Sequence, residues 1–264
     1  MWPYPKVLAH RGGGILAPEN TLAGIRAGLE RGFHAIEFDV MLARDEVPIL
    51  MHDPQLGRTV AGSGPVSDYS AHQLAAMDAG SWLDARYGGE PVPSLREVIE
   101  FCVVNRIWMN IEIKPVPGFE EATGRQAARL VRTLFARQIE AGRAAPESAP
   151  DPGEVPLPLF SSFSAVALRA AAEEAPEIPR GCLLDVVPLD WEERLQDIGA
   201  IALHTNHKHL QPEQARAVKD AGYGLMCYTV NDPARARDLL EWGADAFCTD
   251  RIDLFTPDFG SRRA

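Results

Sequence analysis

Short strand-like segments alternate with helix-like segments along almost the whole chain of 264 residues. Strands that are joined by helical crossovers pair in parallel, so this alternation predicts an α/β fold. The predicted strands cover residues 6–10, 35–42, 47–52, 107–114, 158–163, 181–187, 200–206, 224–230 and 245–250. The predicted helices cover residues 21–31, 95–105, 120–141, 164–175, 212–222 and 233–242. A single TIM (β/α)8 barrel, which needs about 250 residues, fits this pattern.

The second and third predicted strands are too close in sequence for a helical crossover. Only residues 43–46 separate them, whereas a parallel connection needs about a dozen residues or more. We therefore expect an antiparallel hairpin that turns at Arg44 and Asp45 and places Glu37 opposite His52. The other eight strands can then close the barrel.

Two stretches interrupt the alternation. Residues 54–93, which follow the hairpin, are rich in turn residues and predict a short loop-rich insertion. Residues 142–157 are rich in proline and alanine and predict a surface loop. Neither stretch has the features of a domain boundary, so we expect residues 1–264 to form a single domain.

The composition limits the partners and the compartment. The net charge of −11 disfavours nucleic acid and anionic membranes as partners, but a few local cations can still bind a small anionic substrate. Four cysteines are widely spaced in apolar stretches, which predicts buried, reduced thiols and not disulfides or a zinc site. We find no signal peptide and no membrane-spanning pattern, so we expect a cytoplasmic protein that does not insert into membranes. The sequence does not indicate an oligomeric state.

Charged and polar residues cluster at the ends of the predicted strands, where (β/α)8 enzymes have their active sites. They are His10, Arg11, Glu37, Asp39, His52, Glu112 and Lys114. Ile36, Phe38 and Val40 form the apolar face of their strand. Because side chains alternate along a strand, Glu37 and Asp39 then point to the opposite side, which in a barrel is not solvent.

Carboxylates that are buried together need a cation. Like charges raise the pKa of one another, and desolvation adds to the cost of ionising them. Glu112 adds a third carboxylate to Glu37 and Asp39. Oxygen ligands without cysteine are typical of a hard divalent ion, Mg²⁺ or Ca²⁺, and the residues do not distinguish between the two.

The neighbouring residues indicate phosphoryl transfer. Arg11 can form bidentate hydrogen bonds with phosphate oxygens, and Lys114 can add a point charge. His10 and His52 suit general acid–base roles, and we favour His10 as the base and His52 as the acid. The three glycines after Arg11 would let a substrate approach the backbone.

Several segments together resemble the glycerophosphodiester phosphodiesterase family. They are "AHRGGGILAPENT", "AIEFDVMLARDEVPILMHDPQLGRT", "VPSLREVIEF", "NIEIKP", "SSF", "CYTVND" and "DAFCTDRID". The resemblance implies a TIM barrel and metal-dependent hydrolysis of glycerophosphodiesters to sn-glycerol 3-phosphate and an alcohol, with a place in phospholipid degradation and glycerol metabolism. It assigns Glu37, Asp39 and Glu112 to the metal, Arg11 and Lys114 to the phosphate, and His10 and His52 to acid–base catalysis. Direct attack by water and a cyclic phosphate intermediate both stay open, as does the alcohol.

Further residues are candidates for the pocket. They are Glu19, Asn20, Phe163, Asn206 and Tyr228. Asn20 or Thr21 also suits the N-cap of a helix. Tyr228 stands where the family often has tryptophan, which could alter the wall that contacts the glycerol or the alcohol. The histidine-rich segment 204–209 is interpreted as a polar loop and not as a metal site.

Three other functions are compatible with parts of the pattern. A phospholipase-like lyase would stop at a cyclic phosphate, a binding protein would sense glycerophosphodiesters without cleaving them, and a nuclease would need a basic groove. Glu112, Lys114 and the absence of a predicted secretion signal favour the hydrolase over the lyase. The complete set of histidines and carboxylates favours it over the binding protein, and the net charge of −11 disfavours the nuclease.

Overall fold

The fold is a closed barrel of eight parallel strands with helices around it, in a computed structural model that describes residues 2–144 and 153–260. The barrel strands are β1 (Val7–His10), β2 (Ala35–Leu42), β4 (Trp108–Ile113), β5 (Leu159–Ser162), β6 (Arg180–Leu184), β7 (Ala202–Asn206), β8 (Gly224–Tyr228) and β9 (Ala246–Thr249). Pairing between β1 and β2 closes the ring. A short strand, β3 (Pro48–Leu50), pairs with β2 outside the ring. The predicted TIM barrel is confirmed.

The helices surround the ring. They are α1 (Leu22–Glu30), α2 (Ala71–Ala75), α3 (Leu95–Val104), α4 (Glu120–Leu134), α5 (Ala136–Ala144), α6 (Ala165–Glu174), α7 (Trp191–Asp197), α8 (Pro212–Asp220) and α9 (Pro233–Glu241). The predicted helix 120–141 is two helices, separated at Phe135. The sequence reading missed α2 and α7, which are only five and seven residues long and carry little periodic signal.

The two faces of β2 have opposite environments, as the alternation predicts. Ile36, Phe38 and Val40 are fully buried in the main hydrophobic core, together with apolar residues of the surrounding helices. Glu37 and Asp39 lie on the other face and line a cavity at the centre of the barrel. The strand therefore separates an apolar layer from a polar site.

The hairpin between β2 and β3 has a different register from the predicted one, so the pairing of Glu37 with His52 is wrong. The loop has three residues, 44–46, and not two, because its last residue has a left-handed backbone with φ of 58°. A turn closed by a left-handed residue adds one position to the loop. The strands therefore pair Met41 with Ile49, and His52 lies beyond the end of β3.

The insertion at residues 54–93 packs against this hairpin through a small hydrophobic cluster of its own. Leu56, Val66 and Leu74 from the insertion are buried with Met41 and Ile49 of the hairpin. The assignment of residues 1–264 to a single domain stays a prediction.

The predicted surface loop at residues 142–157 is described only at its ends. Residues 142–144 belong to α5 and residues 153–157 lead into β5, while residues 145–152 lie outside the described residues.

The four cysteines are free and buried, as predicted. Among the described residues, no helix combines the length and the apolar character that crossing a bilayer requires.

Candidate active site

A cavity of about 220 Å³ opens at the carboxyl ends of the barrel strands, and all seven residues that the sequence singled out line it. Its walls are completed by Asn110, Phe163, Leu183, Met226, Tyr228, Thr229 and Cys248. The barrel brings the seven together from β1, β2, β4 and the segment after β3, which are neighbours in the sheet. They form one charged site at the carboxyl end of the barrel.

Three carboxylates form the floor of this site. Glu37, Asp39 and Glu112 each have an oxygen within 4.8 Å of the others, and all three residues are buried. One buried oxygen of Glu37 and one of Glu112 accept no hydrogen bond from the described residues. The side-chain oxygen of Asn110, which pairs with Glu37 in the sheet register, is equally unsatisfied. Buried oxygens without donors are expected where a cation binds.

The three carboxyls differ in their tendency to ionise. Burial alone would raise the pKa of Asp39, but the charges of Lys114 and Arg11 outweigh it and hold that pKa below its ordinary value. Burial raises the pKa of Glu37, and the charge of Asp39 adds to the increase. Burial and the charge of Asp39 also raise the pKa of Glu112, to about 8. Ionisation of Glu37 and Glu112 is therefore less favourable than in water, and a further positive charge would offset that cost.

Lys114 and Arg11 approach Asp39 from two sides. The Lys114 ammonium lies 3.2 Å from Asp39 Oδ1, and Arg11 Nε lies 3.4 Å from Asp39 Oδ2. Asn20 supports the same carboxylate, since its amide donates to Asp39 Oδ2 and its carbonyl oxygen accepts from the Asp39 backbone N–H. The cavity thus presents two cations beside a fixed anion, an arrangement suited to binding a phosphate group.

The loop between β1 and α1 holds two strained residues. Arg11 and Asn20 have φ of 51° and 56°, in the left-handed region that residues other than glycine rarely adopt. The Asn20 N–H donates to the Arg11 carbonyl at 3.0 Å, which ties the two together. Such strain is kept at functional sites when the surrounding structure fixes it. Thr21, and not Asn20, caps α1 by accepting from the Gly24 N–H.

The glycines after Arg11 pack closely within the protein, and the expectation that they let a substrate approach the backbone stays a prediction. A Cβ on Gly12 or Gly13 would lie within 3 Å of atoms of α1. A Cβ on Gly14 would lie 2.0 Å from the backbone oxygen of Asp250. These residues let the loop pack against α1 and against the end of β9.

His10 is held by a carboxylate that the sequence reading missed. Its Nδ1 lies 2.5 Å from Asp250 Oδ1, and Asn231 donates to the other oxygen of Asp250. Its Nε2 faces Glu37 at 3.6 Å. Burial lowers the pKa of His10, but the hydrogen bond to Asp250 and the charge of Glu37 outweigh it, so the net effect is an increase.

His52 belongs to a chain of ion pairs that runs back to Arg11. His52 Nδ1 lies 2.7 Å from Asp53 Oδ1, and Asp53 Oδ2 accepts from Arg58 Nε at 2.6 Å. Arg58 then donates to both oxygens of Glu19 at 2.8 and 2.7 Å. Glu19 accepts from Arg11 at 2.8 Å. Burial and the charges of Arg11 and Lys114 lower the pKa of His52, although Asp39 and Asp53 oppose the change.

The predicted pocket residues separate into two groups. Phe163 and Tyr228 line the cavity, and their rings meet edge to face with centroids 5.9 Å apart. Glu19, Asn20 and Asn206 do not line it. Glu19 and Asn20 instead support Arg11 and Asp39, while the Asn206 amide donates to Asp185.

Asp53, Arg58, Asn110 and Asp250 are site residues that the sequence reading did not select. Asn110 lies two positions before Glu112, so the same alternation argument would have placed it on the polar face of β4. Asp250 follows the last strand, 240 positions from its partner. No local pattern indicates that pairing. Arg58 lies in the insertion, where no periodic pattern fixes its direction.

Known proteins resemble this chain over almost its whole length. Residues 10–254 match the glycerophosphoryl diester phosphodiesterase family. The chain is 29% identical over 249 residues to the glycerophosphodiester phosphodiesterase of Caldanaerobacter subterraneus subsp. tengcongensis, and the match covers 92% of this chain and 93% of that protein.

Two solved structures extend the likeness to three dimensions. A phosphodiesterase of Oleispira antarctica, solved in complex with the product sn-glycerol-3-phosphate, is 36% identical with a TM-score of 0.80, covering 93% of both chains. The glycerophosphodiester phosphodiesterase of Agrobacterium tumefaciens is 29% identical with a TM-score of 0.74, covering 96% of this chain and 99% of that one. Because the family match covers residues 10–254, the chain belongs to the glycerophosphoryl diester phosphodiesterase family, a family of hydrolases.

Proposed function

We propose that this chain hydrolyses glycerophosphodiesters to sn-glycerol 3-phosphate and an alcohol, with the help of one divalent cation. The observation that carries the proposal is a buried carboxylate triad with unsatisfied oxygens, flanked by Arg11 and Lys114. The product bound in the Oleispira antarctica structure supports this substrate class. The four buried, free cysteines agree with a cytoplasmic enzyme, and its substrates and products would place it in phospholipid degradation and glycerol metabolism.

Glu37, Asp39 and Glu112 would hold the cation, Mg²⁺ or Ca²⁺. The Asn110 oxygen, which has no donor among the described residues, would be a fourth ligand. When bound, the cation supplies positive charge to the phosphate oxygens and so favours attack at phosphorus. Arg11 and Lys114 would orient the phosphate, because both already lie in the cavity wall beside Asp39.

The pKa directions reverse our preference for His10 as base. His52, whose pKa is lowered, is the better candidate for the neutral base, and His10, whose pKa is raised, for the acid that protonates the leaving alcohol. Asp53 and Asp250 would fix the ring orientations, since each accepts from Nδ1 and leaves Nε2 for the reaction. Either water or the glycerol 2-hydroxyl can deliver its proton to the same base.

The test of the function is release of glycerol 3-phosphate from glycerophosphocholine and glycerophosphoethanolamine. The enzyme is treated with EDTA, dialysed, and assayed again with Mg²⁺ or Ca²⁺ added back. We expect release that disappears with EDTA and returns with one of the two ions. Accumulation of a cyclic phosphate as the final product would identify a lyase, and absence of any turnover with the ion bound would contradict the proposal.

The histidine roles are tested by changing the leaving group. A p-nitrophenyl ester of glycerol phosphate needs no protonation of its leaving group, whereas the choline ester does. We expect His10→Ala to lose roughly a hundredfold or more on the choline ester and much less on the p-nitrophenyl ester. His52→Ala should lose activity on both. The opposite result would restore His10 as the base.

A further inference from the structure

A second pocket adjoins the catalytic cavity at His10 and Arg11, between the loop after β1 and the insertion. Its volume is about 320 Å³, and His10 and Arg11 line both spaces. A ligand in the catalytic cavity can therefore extend past these two residues. We call this space the Trp82 pocket. Its lining combines four polar residues with apolar ones and includes His10, Arg11, Glu19, Asp250, Ile15 and Trp82.

The insertion fixes Trp82 beside the loop. The indole N–H of Trp82 donates to a backbone carbonyl three residues earlier in the chain, at 2.9 Å. The same part of the insertion is anchored to the rest of the protein, because the Tyr87 hydroxyl donates to the Leu16 carbonyl at 3.2 Å. Glu90 also accepts from the Ala23 N–H, in the first turn of α1, at 2.7 Å. The ring is thus held at one side of the pocket by the fold.

The ring of Trp82 is available to a ligand. Trp82 is 41% exposed. Within residues 2–144 and 153–260, no arginine or lysine lies over this ring, whereas the guanidinium of Arg235 lies 4.4 Å from the ring centroid of Trp242. Indole attracts cations more strongly than the rings of tyrosine and phenylalanine do. The Trp82 ring is therefore suited to a cationic group of a ligand.

Two ionised carboxylates face the same pocket. Burial opposes ionisation of Glu19, but the hydrogen bond from Arg58 and the charge of Arg11 outweigh it and lower the pKa of Glu19. Burial also opposes ionisation of Asp250, and the hydrogen bond with His10 helps to lower its pKa. Each oxygen of the two carboxylates already accepts a hydrogen bond. They act on a ligand mainly through their charge, which suits a quaternary ammonium, a cation without N–H groups.

The acid assigned above locates the alcohol part of the substrate. His10 would protonate the alcohol oxygen as the bond from that oxygen to phosphorus breaks, so the alcohol must lie beside His10. With the phosphate beside Arg11, the alcohol can continue into the Trp82 pocket. The phosphate anion compensates Arg11, and the charges of Glu19 and Asp250 then favour a positive charge on the alcohol.

We propose that the Trp82 pocket binds the alcohol part of the substrate and selects alcohols that carry a quaternary ammonium, as choline does. Trp82 is the specificity-determining residue, because its ring contacts the ammonium methyl groups while the carboxylates supply the charge. This inference rests on the proposed function and on His10 as the acid. It assigns the alcohol that the sequence leaves open.

Two substrates of the same shape isolate the charge of the alcohol. Glycerophosphocholine is compared with the 3,3-dimethylbutyl ester of glycerol phosphate, in which carbon replaces the ammonium nitrogen. The measured quantity is the ratio of kcat/KM for the choline ester to kcat/KM for the dimethylbutyl ester. This ratio is compared between proteins, so the different leaving tendencies of the two alcohols cancel.

Variants of Trp82 locate the effect. Trp82→Leu keeps an apolar side chain but removes the ring, and we expect the ratio to fall about fivefold relative to the wild type. Trp82→Phe keeps an aromatic ring that attracts cations less strongly, and we expect a fall of only about twofold. Trp242→Leu is the matched control, the same change of side chain at the end of α9, where β9 begins at the opposite end of the barrel. Its ratio should equal that of the wild type.

The outcomes separate the inference from the proposed function. A wild-type ratio in Trp82→Leu, or an equal fall in Trp82→Leu and Trp242→Leu, would overturn the inference, while hydrolysis of both esters would leave the proposed function intact. A larger fall in Trp82→Phe than in Trp82→Leu would also overturn it, because the effect would then not come from the ring. If neither ester releases glycerol 3-phosphate with the cation bound, the proposed function fails and the inference fails with it.

Discussion

Each end of the barrel interior contains a histidine, and the pKa values of the two histidines are shifted in opposite directions. At the carboxyl end, His10 lies among carboxylates, and the hydrogen bond to Asp250 helps to raise its pKa. At the amino end, His204 is completely buried beside Trp2, and neither of its ring nitrogens has a hydrogen-bond partner among the described residues. Burial lowers the pKa of His204 to about 3. One histidine is poised for proton transfer and the other stays neutral.

The packing explains the difference. The amino end is filled by an apolar cluster in which Trp2, Tyr4 and Trp108 contact one another, with Tyr4 and Trp108 stacked at 4.2 Å. In an apolar interior of this kind a buried charge without a partner is costly. The carboxyl end instead combines three carboxylates with Arg11 and Lys114, so charges compensate one another. The strands thus provide a rigid apolar base on which a charged site is supported.

The largest effect is expected where the charged end loses its central anion. Asp39→Asn removes the one triad carboxyl whose pKa is held low, and with it the partner of Lys114 and Arg11. We expect kcat/KM to fall by at least about a thousandfold, since even outer-shell groups of metal sites are worth ten- to a hundredfold. The measurements are steady-state kinetics and calorimetric titration with the cation. Asp197→Asn, at a surface ion pair, is the control and should change neither. Unimpaired turnover of Asp39→Asn would contradict the site.

The neutral end predicts acid sensitivity. The unfolded chain protonates His204 near its ordinary pKa of 6.5, whereas the folded chain resists protonation down to about 3. The free energy of unfolding should therefore decrease as pH falls through this interval, by up to about 1.4 kcal/mol per pH unit from this residue. His204→Leu should show a shallower dependence when both proteins are unfolded with denaturant at several pH values. If the unfolding free energies of the two proteins depend on pH in the same way, His204 can be protonated in the folded barrel.

Cation binding should displace protons at the charged end. Because the pKa of Glu112 is raised to about 8, its carboxyl is mostly protonated at neutral pH and must ionise to bind a cation. We expect affinity to increase by up to about tenfold per pH unit below that pKa and then to level off. Calorimetry in buffers of different ionisation enthalpy measures the released protons. Affinity independent of pH would show that the Glu112 carboxyl is already ionised before the cation binds.

The smallest effect concerns the chain of ion pairs behind the site. Arg58→Gln breaks the connection between His52 and Arg11 without touching the cavity, and we expect kcat to fall about tenfold with little change in the melting temperature. Arg86→Gln, in the same insertion, is the control, because the Arg86 side chain pairs with Asp84 and stacks on Tyr87. If the two variants have the same kinetics, Arg58 does not support the active site and is an ordinary surface residue.

The sequence predicted most of the barrel because the alternation of apolar residues fixes which side of a strand faces the helices. The same rule found Glu37, Asp39 and Glu112. It could not find the His10–Asp250 pair, since these residues meet only when the first and last strands close the ring.

Other errors have local causes. The register of the hairpin depended on a glutamate with a left-handed backbone, a conformation that residue type does not reveal. The interpretation of residues 204–209 as a polar loop is wrong for residues 204–206, which belong to β7, with His204 inside the barrel. The sequence does not reveal that a polar side chain lies in an apolar cluster, because the cluster forms only when the strands come together in the fold.

The central claim is that the triad of Glu37, Asp39 and Glu112 holds the cation that the reaction needs. The most direct measurement is anomalous diffraction from crystals grown with Mn²⁺ in place of Mg²⁺, or with Ca²⁺, on the wild type and on Glu37→Gln. We expect one strong peak among the three carboxylates in the wild type and its loss in the variant. A peak elsewhere in the barrel, or none in crystals of an enzyme that needs the ion for turnover, would contradict the account.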